Sequence, residues 1–127
     1  MTPEVEQAIA EIKQVFSGHL VDVEPEAQGG AYVIVRNLLI GEQYVPTNSW
    51  VGFLIGFQYP HADVYPHFID GSLRRADGRG LGTGFSGSMT WQGQKAIQIS
   101  RRSLRLNPGI DTAATKLTKV LSWLRSQ

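Results

Sequence analysis

Residues 98–111 read QISRRSLRLNPGID, and the end of this stretch decides the fold. The run Asn107-Pro108-Gly109 is typical of a turn, and Asp111 is predicted to cap a helix that follows it. The stretch therefore leads into a C-terminal amphipathic helix. Its two serines and three arginines fit either a basic surface or the approach to a reactive hydroxyl. The apolar face of the helix is predicted from residues at helical spacing: Ala114, Leu117, Val120, Leu121 and Leu124.

A second helix is predicted at the start of the chain. The Thr2 side chain can accept a hydrogen bond from an unpaired backbone N–H, and Pro3 suits the first helical position. Gly18 is the predicted stop. The buried stripe of this helix is predicted from five apolar residues: Ala8, Ile9, Ile12, Val15 and Phe16.

Between the helices, short apolar runs rich in Val, Ile, Tyr and Phe alternate with turn residues. Such runs predict successive antiparallel strands joined by turns. We expect about four strands in this meander. The runs are LVDVEPEA (20–27), AYVIVRNLLI (31–40), WVGFLIGF (50–57) and YPHFI (65–69).

Residues 70–94 hold much of the glycine of the chain and show almost no apolar periodicity. They are predicted to form a long mobile loop, and loops of this length in compact domains tend to be functional. The order of helix, meander, loop and closing helix predicts an α+β fold in a single domain spanning residues 1–127. An aromatic group is predicted to belong to its core: Trp50, Phe53, Phe57 and Tyr59.

Composition excludes several classes of function. A chain of 127 residues suits one domain, since domains commonly have roughly 100 to 150 residues. Its 12 Lys and Arg residues nearly balance its 11 Asp and Glu residues, so no overall field attracts nucleic acid. The acidic N-terminal segment is unlike a signal peptide, no apolar run approaches the roughly 20 residues of a membrane span, and we expect a cytoplasmic protein. Without cysteine there is neither a thiolate nucleophile nor Cys-ligated zinc.

Two short motifs resemble those of the ubiquitin-conjugating enzyme (UBC-like) fold. In FQYPHADVYPHFI (57–69), the pairs Tyr59-Pro60 and Tyr65-Pro66 look like the tyrosine-proline strand entry of that fold and the proline that follows it. Ser100-Arg101-Arg102, shortly before Pro108-Gly109-Ile110-Asp111, is similar to the Ser-Arg-basic motif of the bacterial branch called family E. The resemblance covers nearly the whole chain, but only these two motifs are specific.

The resemblance implies a function and two partners. Members of this superfamily accept the C-terminus of a ubiquitin-like protein from an adenylating activating enzyme and pass it to an amine, without a cofactor. The N-terminal helix would dock the activating enzyme. This chain departs from the pattern because it has no cysteine to carry the acyl group and no His-Pro-Asn motif before it.

A serine oxyester could replace the usual thioester. Ser100 is the first candidate because its position is nearest to that of the family's cysteine; Ser103 is the second and Ser88 the third. A serine needs a base within hydrogen-bond reach, and His67 is preferred to His61 because it lies in the strand that enters the loop. The absence of cysteine equally fits a relative that has lost its nucleophile and only binds its partners, or a sequence in which cysteine was replaced.

Basic and glycine residues are the candidates for binding. Arg101 and Arg102 could stabilise an oxyanion or bind an acidic partner surface. Gly82 and Gly84 belong to a glycine-rich loop that would admit the extended tail of the ubiquitin-like protein. One of the two arginines could instead merely cover a helix end, because neighbouring residues alternate between faces.

Phosphate, nucleic-acid and metal sites are disfavoured. The segment GRGLGTG (78–84) lacks the Lys-Ser or Lys-Thr pair and the following helix of a phosphate-binding loop. The pairs His61/Asp63 and His67/Asp70 are too loosely spaced to predict a metal site. A basic surface for nucleic acid would have to be built from six arginines: Arg74, Arg75, Arg79, Arg101, Arg102 and Arg105.

Overall fold

Two helices enclose eight strands in chain order, and the computed structural model describes all residues from 1 to 127. The α+β prediction is confirmed, with one helix at each end of the chain. The elements are α1 (Pro3–Val15), β1 (Val21–Pro25), β2 (Ala31–Leu39), β3 (Tyr44–Val45), β4 (Asn48–Ile55), β5 (His67–Asp70), β6 (Arg74–Arg75), β7 (Phe85–Trp91), β8 (Gln94–Ile99) and α2 (Ala113–Ser126).

Helix α1 begins as predicted but ends early. The Thr2 hydroxyl accepts a hydrogen bond from the Val5 backbone N–H at 3.1 Å, so Thr2 is the N-cap. The helix ends at Val15, and Phe16 takes the C-cap position ahead of Gly18. Val15 is 58% exposed, so its predicted place in the buried stripe is wrong. Phe16, four residues after the buried Ile12, packs against the core, as predicted.

Helix α2 is capped by Thr112, and the prediction that Asp111 caps it is wrong. The Thr112 hydroxyl accepts from the Thr115 N–H at 3.1 Å, and the Thr115 hydroxyl accepts from the Thr112 N–H at 2.9 Å. This capping box satisfies two backbone donors at the helix start. The Asp111 carboxylate accepts instead from the Asn107 N–H at 2.7 Å and thereby closes the turn before the helix.

The main sheet has six strands rather than about four. All its neighbouring strands are antiparallel, in the order β1-β2-β4-β5-β8-β7, and β3 and β6 form a separate two-stranded ladder. The two additional strands of the main sheet, β7 and β8, form a hairpin whose second strand pairs with β5. This hairpin extends the meander beyond its predicted last strand.

The prediction that residues 70–94 form one long loop is therefore wrong in its second half. Strand β7 begins at Phe85 and turns into β8 through Gln92 and Gly93, whose φ angles are 49° and 74°. Two residues with positive φ form the tight turn that suits the twist of a hairpin. The sequence signal for this hairpin was weak, because Gln92 stands where Asn or Asp is usual in such a turn. In addition, Gly87 and two serines interrupt the apolar alternation of β7. Only β6 interrupts the irregular course of residues 71–84.

Both helices belong to one hydrophobic core with the inward side chains of the sheet. Phe53 is fully buried there, as predicted, but Phe57 is 47% exposed. Trp50 differs from Phe53 by an odd number of residues, so it lies on the opposite face, where its ring stacks on Trp91. Neither helix has the length and apolar surface that a membrane-spanning helix requires.

Candidate functional site

A polar cluster connects the segment before α2 with the loop before β5. The Ser103 backbone N–H donates to Asp63 Oδ2 at 2.7 Å, and the Ser103 hydroxyl donates to Asp63 Oδ1 at 2.8 Å. Lys116, on the second turn of α2, donates from Nζ to the Ser103 Oγ at 2.9 Å. The same ammonium lies 3.0 Å from Asp63 Oδ2 and forms an ion pair with it. We call this arrangement the Asp63–Ser103–Lys116 cluster.

The oppositely charged side chains of the cluster stabilise each other. Partial burial raises the pKa of Asp63, but the hydrogen bonds from Ser103 and Lys116, with the positive charge of Lys116, outweigh it and hold the pKa below its ordinary value. Asp63 is therefore a carboxylate at neutral pH. Lys116 is only 8% exposed, so its ammonium depends on Asp63 and Ser103 to replace water. The cluster holds a hydroxyl between a carboxylate and an ammonium.

Ser100 and Ser88, the first and third predicted nucleophiles, have no such partners. The Ser100 hydroxyl accepts a hydrogen bond from the Gln98 side-chain amide at 3.2 Å, and its backbone N–H donates to the Gly84 carbonyl at 2.9 Å. Ser88 is exposed in the irregular part of β7, with φ at 61°. Among the three candidates, only Ser103 has both an acidic and a basic side chain on its hydroxyl.

The structure does not bring His67, the predicted base, to a serine. His67 is fully buried, and neither ring nitrogen has a hydrogen-bond partner. Its position on β5, opposite Phe53 and Ile99, directs the ring into the core, where it packs on the Phe53 ring with centroids 5.1 Å apart. His61 is exposed in the preceding turn. A catalytic role for His67 thus has no hydrogen bond to support it.

Burial gives His67 a measurable effect on stability. Burial, with a smaller effect from the positive charge of Lys116, lowers the pKa of His67 from 6.5 to about 3, and the opposing effect of Asp63 is too small to prevent this. The unfolded imidazole takes up a proton near its ordinary pKa of 6.5 while the folded ring stays neutral. Stability is therefore full above pH 6.5 and declines as the pH falls, by up to roughly 1.4 kcal/mol per pH unit.

We expect His67→Gln to remove this decline between pH 6.5 and 5, above the range in which most carboxyl groups titrate. Urea denaturation at several pH values measures the slope of the free energy of unfolding against pH. This slope tests the prediction even if the variant is less stable than the wild type. His61→Gln, at an exposed position, serves as the control and should keep the wild-type slope. Equal slopes in wild type and His67→Gln would contradict the prediction.

A groove of about 630 Å³ opens beside the cluster, between residues 101–105 and α2, and we call it the arginine groove. Ser103 and Lys116 belong to its lining. The Arg101 guanidinium lies 4.9 Å from the ring centroid of Trp123, which lines the same groove, and the Arg102 guanidinium lies 4.2 Å from that of Tyr65. Arg101 and Arg102, both predicted as binding residues, therefore line one groove with Ser103.

The two predicted loop glycines have different surroundings. A Cβ added at Gly84 would lie 2.7 Å from the Trp123 indole, so only glycine allows the loop to support this wall of the groove. Its φ of 94° also favours glycine. Gly82 has a φ of 89° and no neighbouring atom within 4 Å of an added Cβ. The loop thus touches the groove at Gly84 and is open at Gly82.

Sequence reasoning missed Asp63 and Lys116 as site residues. Asp63 lies between the two tyrosine-proline pairs, where its place beside His61 suggests only a possible metal ligand. Lys116 had a detectable signal, because it occupies a buried position of α2 next to Leu117. Lysine is almost never fully buried unless it is paired, so a lysine on the apolar face of a helix indicates a partner.

The chain contains no group of three or more His, Asp or Glu side chains arranged to hold a metal ion. Comparison of the chain with protein-family models, with curated proteins and with solved structures finds no match. The function must therefore be argued from the Asp63–Ser103–Lys116 cluster and from the groove beside it.

Proposed function

We propose that this protein is a ubiquitin-conjugating-enzyme-like domain of a bacterial pathway, which carries the C-terminal acyl group of a ubiquitin-like protein on Ser103 as an oxyester. It would receive the group from an adenylating activating enzyme and pass it to an amine. One observation carries the proposal: the Ser103 hydroxyl lies between Asp63 and Lys116, and Ser103 lines a groove. This geometry favours Ser103 over Ser100, which the resemblance alone placed first.

Each side chain of the cluster has a role in acyl transfer. Ser103 Oγ attacks the carbonyl carbon of the activated C-terminus, a thioester or acyl adenylate, and forms an ester bond as thiolate or adenylate leaves. The hydroxyl proton passes to Asp63, which already accepts it in a hydrogen bond. The Lys116 ammonium stabilises the negative charge that develops beside Oγ. In the second half of the reaction, an amine attacks the ester and an amide forms. The Ser103 oxygen leaves as the alcohol and recovers its proton through Asp63.

The order of elements supports the proposal more generally. An N-terminal helix, an antiparallel sheet and a closing helix follow one another, as the resemblance implies, although the β7–β8 hairpin occupies part of the segment that was predicted to be one long loop. The two tyrosine-proline pairs enclose Asp63 in sequence, so the first motif of the resemblance supplies one member of the cluster and the second supplies Ser103 between Arg102 and Pro108. Helix α1 is the expected docking element for the activating enzyme.

A second candidate is a domain that only binds the ubiquitin-like protein or the activating enzyme. The observation that favours it is the lowered pKa of Asp63, because a more acidic carboxylate is a weaker general base. In that case the cluster would be a clamp that holds the segment before α2 to the loop before β5, and no covalent adduct would form.

Incubation with ATP, a bacterial adenylating enzyme and a bacterial ubiquitin-like protein separates the two candidates. We expect an adduct whose mass is the sum of the two chains less one water, cleaved by hydroxide and stable to dithiothreitol. Omission of ATP is the control and should prevent it. Binding of the ubiquitin-like protein without any adduct would overturn acyl transfer and support the binding-only domain.

A further inference from the structure

The arginine groove carries positive charge that the protein itself does not neutralise. Arg101, Arg102 and Arg105 line it, and none of them takes part in the five ion pairs of the chain. The only acidic residue in the lining is Asp111, which already pairs with Lys119 at 3.6 Å. Three arginines therefore line one groove, and none of them is paired with a carboxylate, although the net charge of the whole chain is only +1.

Two of these arginines are held in place by aromatic rings. The Arg101 guanidinium lies over the Trp123 ring and the Arg102 guanidinium over the Tyr65 ring. These contacts with the ring faces restrict the side chains without using their N–H donors. A ligand that accepts two parallel hydrogen bonds, as a carboxylate does, would lose less side-chain entropy on binding here than at mobile arginines.

The groove also has apolar surface. Val120 of α2 and Leu104 contribute to its lining, and Leu104 is 97% exposed, the most exposed large apolar side chain of the protein. A ligand that fits this lining combines negative charge with an aliphatic side chain. An acidic peptide segment that contains leucine or a similar residue has this chemistry.

We propose that the arginine groove binds a short acidic peptide segment of a protein partner, with its carboxylates on Arg101, Arg102 and Arg105 and an aliphatic side chain against Val120 and Leu104. The proposal rests on the proposed function only for the identity of the partner. Because Ser103 lines the same groove, the partner would be a protein that takes part in the acyl transfer. Peptide binding itself requires no reactive serine.

The same charges could attract phosphate, but the aromatic rings argue against a single-stranded nucleic acid. Binding of single strands depends on exposed aromatic faces on which bases stack. The Trp123 ring already has Arg101 on it and packs against Phe85, with ring centroids 5.0 Å apart, and Arg102 covers Tyr65. The groove therefore offers donors for anions but no free aromatic face for a base.

Fluorescence anisotropy of a labelled peptide, Glu-Glu-Leu-Glu-Gly-Gly, titrated with the full chain tests the proposal. We expect Arg101→Ala and Arg105→Ala each to weaken binding about tenfold, since hydrogen bonds to charged groups are lost. Arg74→Ala is the matched control, because Arg74 is also exposed and without an ion pair but lies outside the groove. Unchanged binding by both groove variants would overturn the proposal.

Competing ligands identify the chemistry. The same peptide with a C-terminal amide shows whether the side-chain carboxylates or the terminal carboxylate bind the groove. Equal affinities of the amidated and unmodified peptides would assign binding to the side chains, as proposed. A six-nucleotide single-stranded DNA or inorganic phosphate that displaces the peptide at lower concentration than an unlabelled copy of it would overturn the proposal in favour of a phosphate site.

The Ser103→Ala variant separates this proposal from the proposed function. Peptide binding by Ser103→Ala, together with no adduct from the wild-type protein, would leave the groove assignment standing and remove acyl transfer. An adduct from the wild-type protein, together with peptide binding that the arginine substitutions do not weaken, would support acyl transfer and overturn the groove assignment.

Discussion

Ser103→Ala is expected to abolish the hydroxide-labile adduct, with a loss of at least about 100-fold in yield, whereas Ser100→Ala is expected to retain it. Removal of the nucleophile leaves nothing to form the ester, and the Ser100 hydroxyl has only the Gln98 amide as a partner. Intact-protein mass spectrometry after a fixed reaction time measures the yield. Loss of the adduct in Ser100→Ala with retention in Ser103→Ala would assign the ester to the serine that the resemblance preferred.

Ser103→Cys provides a second test that does not depend on loss of activity. A thiol at this position should form a thioester, so the adduct should become cleavable by dithiothreitol while the wild-type adduct resists it. Ser88→Ala, at an exposed position of β7, controls for serine replacement in general. An adduct from Ser103→Cys that still resists thiol would show that the acyl group is attached elsewhere.

Lys116→Met is expected to lower the free energy of unfolding at pH 7 by about 3 kcal/mol. Methionine has a similar length but no charge, so the change leaves the Asp63 carboxylate in a partly buried position without its ion-pair partner. Removal of one partner of a buried pair typically costs about 3 to 5 kcal/mol, and the lower end applies because the Asp63 side chain is 21% exposed. Urea denaturation measures the change.

Two variants make this stability prediction specific. Lys119→Met breaks the Lys119–Asp111 pair, in which the lysine side chain is 70% exposed, and should cost less than about 1 kcal/mol. The double variant Asp63→Asn with Lys116→Met removes both charges and should regain part of the loss. A loss for Lys116→Met no larger than that for Lys119→Met would contradict a role for the cluster in holding α2.

The local sequence pattern predicted the two terminal helices well. The buried stripe of α2 follows from apolar residues at helical spacing, and the Thr2 cap follows from a single side chain and the proline after it. Such features depend on residues a few positions apart, so periodicity and capping chemistry reveal them. The errors arose where a boundary depended on packing, as at Val15, or on a turn with an unusual residue, as at Gln92.

The candidate site could not be predicted in this way, because its three members are far apart in sequence. Asp63 precedes β5 by four residues and Ser103 follows β8 by four residues, while Lys116 lies on α2. Strands β5 and β8 are antiparallel neighbours with His67 opposite Ile99, so the chain before one and after the other emerges at the same end of the sheet.

The sequence by itself determined the two amphipathic helices, the antiparallel character of the sheet and the presence of serines and arginines before α2. Only the tertiary structure decided which serine acquires charged partners and which histidine is removed from solvent. The physical reason is that helix and strand patterns arise from neighbouring residues, whereas the hydroxyl, carboxylate and ammonium of the cluster meet only when the β7–β8 hairpin pairs with β5 and α2 packs beside it.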